Sequence, residues 1–518
     1  MPGDTTLSAA GNAADWFIDR HIREGRGERL AFIDPWRRLS YRDLQRQSSG
    51  FAAALARAGM RREERIALVL RDTCAFPIAF WGALRAGVVP VPINTLLPSA
   101  QIASLLADCR AALVVASPSL APALTADPAT PRCIVAEEGS EGEDAAEGLA
   151  RFLAGAPEAI APPISASPDE TAFWLYSSGS TSAPKGTRHV HASLRATYET
   201  YGRQVLGIAP DDLMFSAAKL FFAYGLGNAM TFPMAVGAAA VLLPGRPTPE
   251  AVFAVLRDYQ PTIFGGVPTL YAAMLADPAI GPGAGSARLR RAISAGEPLP
   301  ERIGREFARI TGVDILDGIG STEMLHIFIS NHPAEIRLGT TGRAVPGYDL
   351  KIVDAEGREV AVGEPGELLV RGASAAEGYW NQRARSRHTF IGEWTRTGDT
   401  YFRDVEGFYH YCGRADDMLK VGGIWVSPAE VEAALVAHEA VLEAAVVGHP
   451  DPEGLIKPRA FIVLKPGMTA SPALLKALQE LVKERAGPWK YPRWIEVLDE
   501  LPKTATGKIQ RFKLRALP

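Results

Sequence analysis

The sequence predicts an α/β fold with a large N-terminal domain of layered α/β sheets, a small barrel-like section, and a small α+β domain at the C-terminus. Three observations predict it. Helical and strand patterns alternate from the start of the chain, as they do where helices join parallel strands. Short strands and glycine turns dominate from Gly342 to Gly413, and new helix-start patterns appear after them. We therefore expect two domains, residues 1–415 and 416–518.

Helix caps and apolar runs define the first elements. Ser40 is placed to cap a helix whose apolar positions repeat every three or four residues and which Gly59 ends. The run RIALVL (65–70) is short and apolar, which favours a buried strand. FPIAFWGALRAG (76–87) predicts a second helix, and VVPVPI (88–93) predicts an extended segment after it.

Later segments carry different signals. Residues 138–170 are acidic, small and proline-rich, which predicts a surface connection. The section from 342 to 413 is typical of antiparallel or barrel-like structure. Ser427, followed by proline, predicts a helix N-cap with Glu430 completing a capping box, and Ser471 predicts another helix start of the same kind.

The composition excludes several classes of function. The 518 residues are 47% apolar and 22% charged with a formal charge of −3, and the charges are intermixed, which argues against nucleic acid as a partner. The four cysteines are far apart and form no CxxC pair, which indicates a reducing compartment rather than a zinc site or a disulfide framework. No secretory signal is evident, and the longest apolar stretch (229–244) is shorter than the ~20 residues of a membrane-spanning helix. We expect a soluble, cytoplasmic protein.

One loop combines many hydroxyls with glycines and a lysine. The segment YSSGSTSAPKGTRHVH (176–191) follows an apolar, strand-like run. Gly179 and Gly186 let the backbone approach a ligand and Lys185 adds a positive charge, an arrangement that binds anions, phosphates above all. Its order is not that of a Walker A loop, where the lysine follows the glycine. From composition alone, a polar surface loop is the other interpretation.

This loop resembles the phosphate loop of the adenylate-forming superfamily: acyl- and aryl-CoA ligases, luciferases and peptide-synthetase adenylation domains. Three further stretches are similar to motifs of that family and follow in its order: DGIGSTEM (317–324), TRTGDTYFRDVEGFYHYCGRADDMLKVGG (395–423) and PKTATGKIQRFKL (502–514). The resemblance implies that ATP activates a carboxylate as an acyl-adenylate, with release of pyrophosphate, and that coenzyme A then takes the acyl group. It implies Mg²⁺ on the phosphates.

The resemblance also implies roles for the matching residues. Thr322 contacts the α-phosphate, and Glu323 ligates or orients Mg²⁺. Asp399 accepts hydrogen bonds from the ribose hydroxyls, and Arg414 reaches the same ribose or the phosphates. The backbone of Ala295–Glu297 lines the adenine. Ile319 stands where the family usually has a tyrosine, so an aliphatic contact replaces stacking on adenine. The implied ATP-binding residues are Ser177, Ser178, Ser180, Thr181, Lys185, Ala295, Gly296, Glu297, Asp317, Gly318, Ile319, Asp399 and Arg414.

Residues near the C-terminus are assigned to the change between the two half-reactions. Lys508 is implied to bridge the substrate carboxylate and the α-phosphate during adenylation. Asp416 is implied to be the hinge on which a mobile C-terminal domain turns. After the turn a hairpin is implied to face the active site and help admit CoA; its residues are Lys420, Gly422, Gly423 and Trp425.

Two segments, 219–238 and 317–331, are most similar to the benzoate-CoA ligase branch. Small residues are expected to leave room for a flat ring between apolar walls, and His326 to donate to the carboxylate or close the pocket floor. Benzoate is the first choice; substituted benzoates (hydroxy, amino, fluoro) and heteroaryl acids such as furoate stay open, because a methylene-sized difference changes binding by only ~1–3 kcal/mol. The expected substrate-binding residues are Phe222, Ala223, Tyr224, Gly225, Gly320, His326 and Ile327, with Gly318 adding room.

Other functions also stay open. A peptide-synthetase-type adenylation enzyme would pass the acyl group to a carrier-protein thiol, and a luciferase-type oxygenase would consume oxygen and emit light. A nucleotide-binding sensor would leave the lysine motif idle. No carrier domain follows Pro518 in this sequence, which favours free CoA. The family often forms homodimers, and nothing in the sequence decides the oligomeric state.

Overall fold

The structure is a computed structural model that describes residues 11–136, 148–155, 157, 159–177, 184–414, 417–421, 424–452, 455–503 and 509–517. Its strands, in chain order, are β1 Leu30–Ile33, β2 Arg38–Ser40, β3 Arg65–Val69, β4 Val89–Pro92, β5 Leu113–Ala116, β6 Cys133–Val135, β7 Thr171–Ser177, β8 Lys185–Val190, β9 Leu213–Ser216, β10 Ala239–Val241, β11 Ile263–Gly266, β12 Arg291–Ser294, β13 Ile315–Gly320, β14 Ile327–Ser330, β15 Arg343–Ala344, β16 Asp349–Val353, β17 Gly366–Arg371, β18 Gly378–Tyr379, β19 Phe390–Ile391, β20 Trp394–Arg403, β21 Tyr409–Arg414, β22 Leu419–Val421, β23 Ile424–Val426, β24 Val441–Pro450, β25 Ile456–Leu464 and β26 Trp494–Val497.

The α-helices are α1 Arg20–Arg23, α2 Tyr41–Arg57, α3 Ala75–Ala86, α4 Ser99–Cys109, α5 Ala121–Thr125, α6 Leu149–Leu153, α7 His191–Thr197, α8 Ala223–Leu226, α9 Phe232–Val236, α10 Pro249–Tyr259, α11 Pro268–Ala276, α12 Glu301–Thr311, α13 Arg383–Thr389, α14 Pro428–Val436, α15 Pro472–Ala486 and α16 Arg511–Arg515. Wider, π-helical turns occupy Asp15–Asp19, Tyr198–Leu206 and Gly227–Thr231, and a 3₁₀ turn occupies Pro282–Gly285. Within the described ranges no helix has the length and apolarity to cross a membrane.

Two largely parallel sheets form the N-terminal part. The larger has the order β15-β14-β13-β12-β11-β9-β10-β1-β2, and its inner strands from β13 to β1 are parallel. The smaller, with order β4-β3-β5-β6, is parallel throughout. The predicted α/β layering is confirmed. Because parallel strands end at the same edge of a sheet, the segments that follow β9, β11, β12 and β13 meet there.

The remaining sheets are mostly antiparallel. Strands β16, β17, β19, β20 and β21 form one sheet in the section predicted to be antiparallel or barrel-like. Strands β7, β8 and β18 form a second, with β8 in the middle. The C-terminal part pairs β22 with β23 and forms the sheet β24-β25-β26, whose core includes side chains of α14 and α15. The α+β character predicted for this part is observed; the boundary at residue 416 stays a prediction.

The helix starts agree with the sequence patterns, with one exception. At α2, Ser40 Oγ accepts from the Asp43 amide at 3.1 Å and the Asp43 carboxylate accepts from the Ser40 amide at 3.3 Å, a complete capping box. At α14, Ser427 Oγ accepts from the Glu430 amide at 3.1 Å. The second half of that predicted box is wrong: the Glu430 carboxylate accepts from Lys490 Nζ at 2.6 Å. An ammonium offers it a stronger, charge-assisted bond.

Helix α3 lies between layers, and this explains its composition. Each of its residues from Ala75 to Arg85 is buried, so the helix is apolar on all sides. The buried guanidinium of Arg85 is paired with the Asp19 carboxylate and donates to Ser48 Oγ at 3.0 Å. A buried charge is tolerated when it is paired in this way.

Buried histidines predict a protein that loses stability in mild acid. Burial lowers the pKa of His21, His189 and His191 to about 4, and that of His326 to about 3, from an ordinary value of 6.5. Below pH ~6.5 the unfolded chain therefore binds protons that the folded chain does not. The free energy of unfolding should fall as the pH decreases from 6.5 toward 4, by up to ~1.4 kcal/mol per pH unit for each net proton.

Three buried carboxyls oppose this trend, since burial also raises the pKa of Asp19 above its ordinary value. Burial raises the pKa of Asp72 to about 6 and that of Asp317 to about 8, so each can offset one proton in the same pH window. Four histidines against three carboxyls leave net proton uptake on unfolding. Urea midpoints measured between pH 6.5 and 4.5 should decrease, and more gently in His21→Gln. An equal slope in that variant would contradict the assignment.

Candidate active site

The candidate site lies at the carboxyl-terminal edge of the large parallel sheet. The segment Ala295–Glu297 follows β12, residues Ser321–Glu323 follow β13, and the turn that leads into α8 follows β9. Strands β12 and β13 are neighbours, with Ser294 opposite Asp317. The structure thus brings the predicted adenine, phosphate and acid segments to one edge, where α/β sheets place their ligands.

Asp317 points into the protein rather than toward solvent. Its Oδ2 accepts from the Leu299 amide at 3.3 Å, and its Oδ1 has no hydrogen-bond partner among the described residues. Burial raises the pKa of this carboxyl to about 8, so it is protonated at neutral pH. A neutral carboxyl can both donate and accept hydrogen bonds. It is therefore better suited to contact the edge of the adenine base than to contact a charged phosphate.

The Thr322–Met324 segment is held through its main chain. The Thr322 carbonyl accepts from His189 Nε2 at 2.8 Å, and the Glu323 carbonyl accepts from the Ala376 amide at 2.8 Å. His189 lies on β8, the strand that follows the phosphate loop. Its ring stacks on Phe173 at 5.2 Å, and burial lowers its pKa to about 4, so it remains a neutral donor to Thr322. This hydrogen bond therefore links the strand that follows the phosphate loop to the segment assigned to the α-phosphate.

Asp399 and Arg414 stand opposite each other on β20 and β21. The Arg414 guanidinium donates to Asp399 Oδ1 at 3.0 Å, and the charge of Asp399 raises the pKa of Arg414. The Asp399 amide donates to Thr397 Oγ1 at 3.1 Å, which holds the turn at this point of the strand. The structure brings the two predicted ribose-binding residues together, and a carboxylate is a good acceptor for a pair of hydroxyls.

The base of the predicted phosphate loop is described on both sides. Ser177 at the end of β7 is paired with Lys185 at the start of β8. The Trp380 amide donates to the Gly186 carbonyl at 2.8 Å, and Gln382 Nε2 donates to the Pro184 carbonyl at 3.1 Å. The loop residues assigned to the phosphates, Ser178, Ser180 and Thr181, lie outside the described residues.

The predicted acid pocket centres on α8 and His326. Phe222, Ala223 and Tyr224 are each half-buried at the start of α8, and Ile327 is buried at the start of β14. The Tyr224 hydroxyl lies within hydrogen-bond distance of the Gly266 and Ile293 carbonyls, at 3.2 and 3.1 Å, so this tyrosine fastens α8 to the ends of β11 and β12. The sequence predicted Tyr224 as a substrate-binding residue and did not indicate these hydrogen bonds.

His326 is enclosed by aromatic rings. The ring centroids of Tyr201, Tyr224 and Phe232 lie 5.1, 5.8 and 4.5 Å from its own. Neither ring nitrogen has a hydrogen-bond partner among the described residues. Burial, opposed in part by the Tyr224 main chain, lowers the pKa of His326 to about 3. A neutral imidazole is not a cationic partner for a carboxylate; that His326 donates to the acid or closes the pocket floor stays a prediction.

The glycines near the pocket do not provide the room that the sequence analysis expected. A Cβ added at Gly225 would overlap the Ala218 and Lys219 carbonyls, well inside the 3.0 Å that real Cβ atoms keep. Added at Gly318 or Gly320, it would lie within 3.0 Å of main-chain atoms of β14 or of the turn before it. The expectation of ring space at these glycines is wrong, because neighbouring backbone already fills that space. Contact of the Gly225 and Gly320 main chain with the acid stays a prediction.

Several predicted residues cannot be placed. Lys508, Asp416, Gly422 and Gly423 lie outside the described residues. Strands β22 and β23 pair Lys420 with Trp425 through the main chain, and only the main chain of these two residues is described. Their assigned roles stay predictions.

A buried lysine and a buried aspartate, which no sequence motif indicates, hold the segment that precedes Phe222. Lys219 is 8% exposed, and its Nζ donates to the Leu243 carbonyl and, at 2.7 Å, to the Gly245 carbonyl. Asp72 is 2% exposed, attracts the Lys219 charge, and accepts from the Leu220 amide at 3.2 Å. A lysine inside the apolar run before Phe222 was the available signal. The pair anchors the turn that carries the acid pocket.

The described residues fit magnesium that arrives with ATP. Among them, no cluster of three or more histidine, cysteine, aspartate or glutamate side chains is arranged to hold a metal ion. Mg²⁺ usually binds through one or two carboxylates together with substrate phosphates and water, which is compatible with Glu323 alone. Glu323 is half-buried at the site edge.

Comparison with known proteins identifies the family. Residues 18–380 match the family described as AMP-binding enzyme. The chain belongs to this family. Residues 430–508 of this AMP-binding enzyme match the AMP-binding enzyme C-terminal domain.

Relatives match the AMP-binding enzyme over nearly its full length. The benzoate–CoA ligase of Thauera aromatica is 53% identical over 98% of this chain and 96% of its own. The 4-hydroxybenzoate–CoA/benzoate–CoA ligase of Rhodopseudomonas palustris is 52% identical over 98% of this chain and 94% of its own. The crystal structure of a benzoate CoA ligase from Burkholderia xenovorans LB400 is 49% identical, covers 97% of this chain and 99% of its own, and superimposes with a TM-score of 0.90.

Proposed function

We propose that the protein is an ATP-dependent aryl-CoA ligase that activates benzoate or a closely related aromatic acid. The observation that carries the proposal is its full-length similarity to ligases of benzoate and 4-hydroxybenzoate. The arrangement of the site supports it, because the segments expected to hold adenine, α-phosphate and acid converge at one sheet edge. Magnesium as the metal and a cytoplasmic location remain part of this proposal.

The chemistry asks the protein to bring two anions together. The carboxylate attacks the α-phosphate and pyrophosphate leaves, which gives an aryl-adenylate; the CoA thiol then displaces AMP. Asp399 and Arg414 hold the ribose end, and Thr322, fastened by His189, presents its hydroxyl to the α-phosphate. Magnesium would share the phosphate charge at Glu323. The protein holds the carboxylate and the α-phosphate in line, so the reaction does not have to meet the entropy cost of bringing two free molecules together.

The surroundings of the pocket favour a flat, apolar acid. Aromatic rings enclose His326, and Phe222 and Ala223, which directly precede Tyr224, are half-buried apolar residues. Burial keeps His326 uncharged, so the pocket end offers no fixed charge to attract an ionic substituent. A neutral imidazole with unpartnered nitrogens can still meet a hydroxyl or amino group, which keeps hydroxy- and aminobenzoates as close rivals.

A panel of acids tests the proposal. We expect CoA-dependent AMP release and a CoA thioester with benzoate, weaker turnover with 4-hydroxybenzoate, 2-aminobenzoate and 2-furoate, and no turnover with palmitate. The measurement is kcat/KM for each acid, with thioester identity confirmed by mass spectrometry. Turnover of palmitate without any aryl acid would refute the substrate class. Adenylate formation without CoA transfer would favour a carrier-protein acceptor.

A further inference from the structure

Tyr379, which no sequence motif indicates, contacts Glu323, the carboxylate assigned to magnesium, and Lys185 of the predicted phosphate loop. It lies on β18, which is paired with β8, and it is 4% exposed. Its hydroxyl donates to Glu323 Oε1 at 2.7 Å. Its ring lies 5.3 Å from Lys185 Nζ, the cation at the end of the phosphate loop. One buried side chain therefore joins the loop lysine to the carboxylate assigned to magnesium.

Hydrogen bonds from a neighbouring segment hold the main chain around Glu323. The Glu323 carbonyl accepts from the Ala376 amide at 2.8 Å, and the next carbonyl, that of Met324, accepts from Ser374 Oγ at 2.7 Å. Both donors precede Tyr379 on the same segment. A half-buried glutamate still loses side-chain freedom when it binds a ligand. The Tyr379 hydroxyl removes that freedom beforehand.

The Tyr379 hydroxyl has one hydrogen to donate, and Glu323 Oε1, at 2.7 Å, is a nearer acceptor than Thr389 Oγ1, at 3.5 Å. A carboxylate has two oxygens, and with one held by a phenol the other can serve a metal. Packing against the Phe390 ring, at 5.4 Å between centroids, holds the tyrosine ring in turn.

We propose that Tyr379 is a positioning residue that presets Glu323 for magnesium-bound ATP and couples it to Lys185 on the phosphate loop. The proposal rests on the proposed function, because it takes Glu323 as the carboxylate that meets the metal. It predicts a metal-specific defect when the hydroxyl alone is removed. Tyr379→Phe keeps the ring, its contact with Lys185 and its contact with Phe390.

The decisive measurement is the binding of α,β-methylene ATP by calorimetry, with and without Mg²⁺, in the absence of acid and CoA. In Tyr379→Phe the gain in affinity that Mg²⁺ gives should shrink by about tenfold to a hundredfold, the worth of a hydrogen bond to a charged group. Affinity without metal should stay within twofold. In activity assays the Mg²⁺ concentration for half-maximal pyrophosphate release should rise, while thioester formation from synthetic benzoyl-adenylate should not change.

Tyr41→Phe is the matched control. Tyr41 is fully buried, and its hydroxyl donates to the Ala238 carbonyl at 2.7 Å, away from the site. The proposal is overturned if Tyr379→Phe keeps the wild-type gain from Mg²⁺, if it loses affinity equally without metal, or if Tyr41→Phe shows the same defect. Absence of aryl-CoA ligase activity would instead refute the proposed function, since the binding measurement uses neither acid nor CoA.

Discussion

Lys508→Ala is expected to abolish formation of the aryl-adenylate while leaving thioester formation from a pre-formed adenylate nearly intact. The carboxylate and the triphosphate repel each other, and a cation between them stabilises the charge that develops at the α-phosphate. Loss of one such electrostatic group typically lowers the rate by about a hundredfold to a thousandfold. Once the adenylate exists this repulsion is gone, so the second half-reaction does not need that cation.

Two assays separate the half-reactions. Benzoate-dependent exchange of pyrophosphate into ATP reports adenylation, and AMP release from synthetic benzoyl-adenylate with CoA reports thioester formation. Lys503→Ala is the matched control, because Lys503 lies on the same segment but donates to Glu443 at 2.6 Å. It should change neither rate more than a few-fold. Equal loss of both half-reactions in Lys508→Ala would contradict the assignment.

Gly225→Ala is expected to lower kcat/KM for benzoate by at least about a hundredfold and to reduce the melting temperature. The added methyl would overlap the Ala218 and Lys219 carbonyls. That backbone cannot move easily, since the Lys219 side chain is fastened to the Gly245 carbonyl and the next amide, that of Leu220, to Asp72. Overpacking a well-packed region typically costs ~1–3 kcal/mol, and a clash with anchored main chain costs more.

Ala223→Gly provides the comparison for this position. It removes a methyl group at the start of the same short helix without creating a clash, so we expect a change in kcat/KM below tenfold. Melting temperature and kcat/KM across the acid panel distinguish the two effects. If Gly225→Ala kept its melting temperature and only shifted the acid preference, the glycine would be pocket room after all.

Much of the fold could be predicted because its signals are local. The Ser40 cap, the buried strand that begins at Arg65 and the helix that ends at Gly87 depend on residues a few positions apart, and the structure confirms all three. Glu430 shows the limit of such reasoning. Its cap pattern is local, but Lys490, sixty residues away, offers the carboxylate a stronger partner.

The residues of the candidate site also fall into two groups: those that sequence motifs predict and those that only contacts between distant residues reveal. Asp399 and Arg414 were assigned from motifs, and the pairing of β20 with β21 brings them to 3.0 Å. Tyr379 and His189 carry no comparable sequence signal, because their importance lies in contacts with Glu323 and Thr322, which are far away in the chain.

The sequence by itself determined the class of chemistry. Its ordered motifs each place several reactive residue types within a few positions, and the covalent chain alone keeps such groups together. Only the tertiary structure decided which groups hold those motifs in place. It also decided whether a Cβ added at each pocket glycine would meet open space or neighbouring backbone. The reason is physical: hydrogen bonds and backbone contacts reach only a few ångströms, and residues remote in sequence come that close only once the sheets have formed.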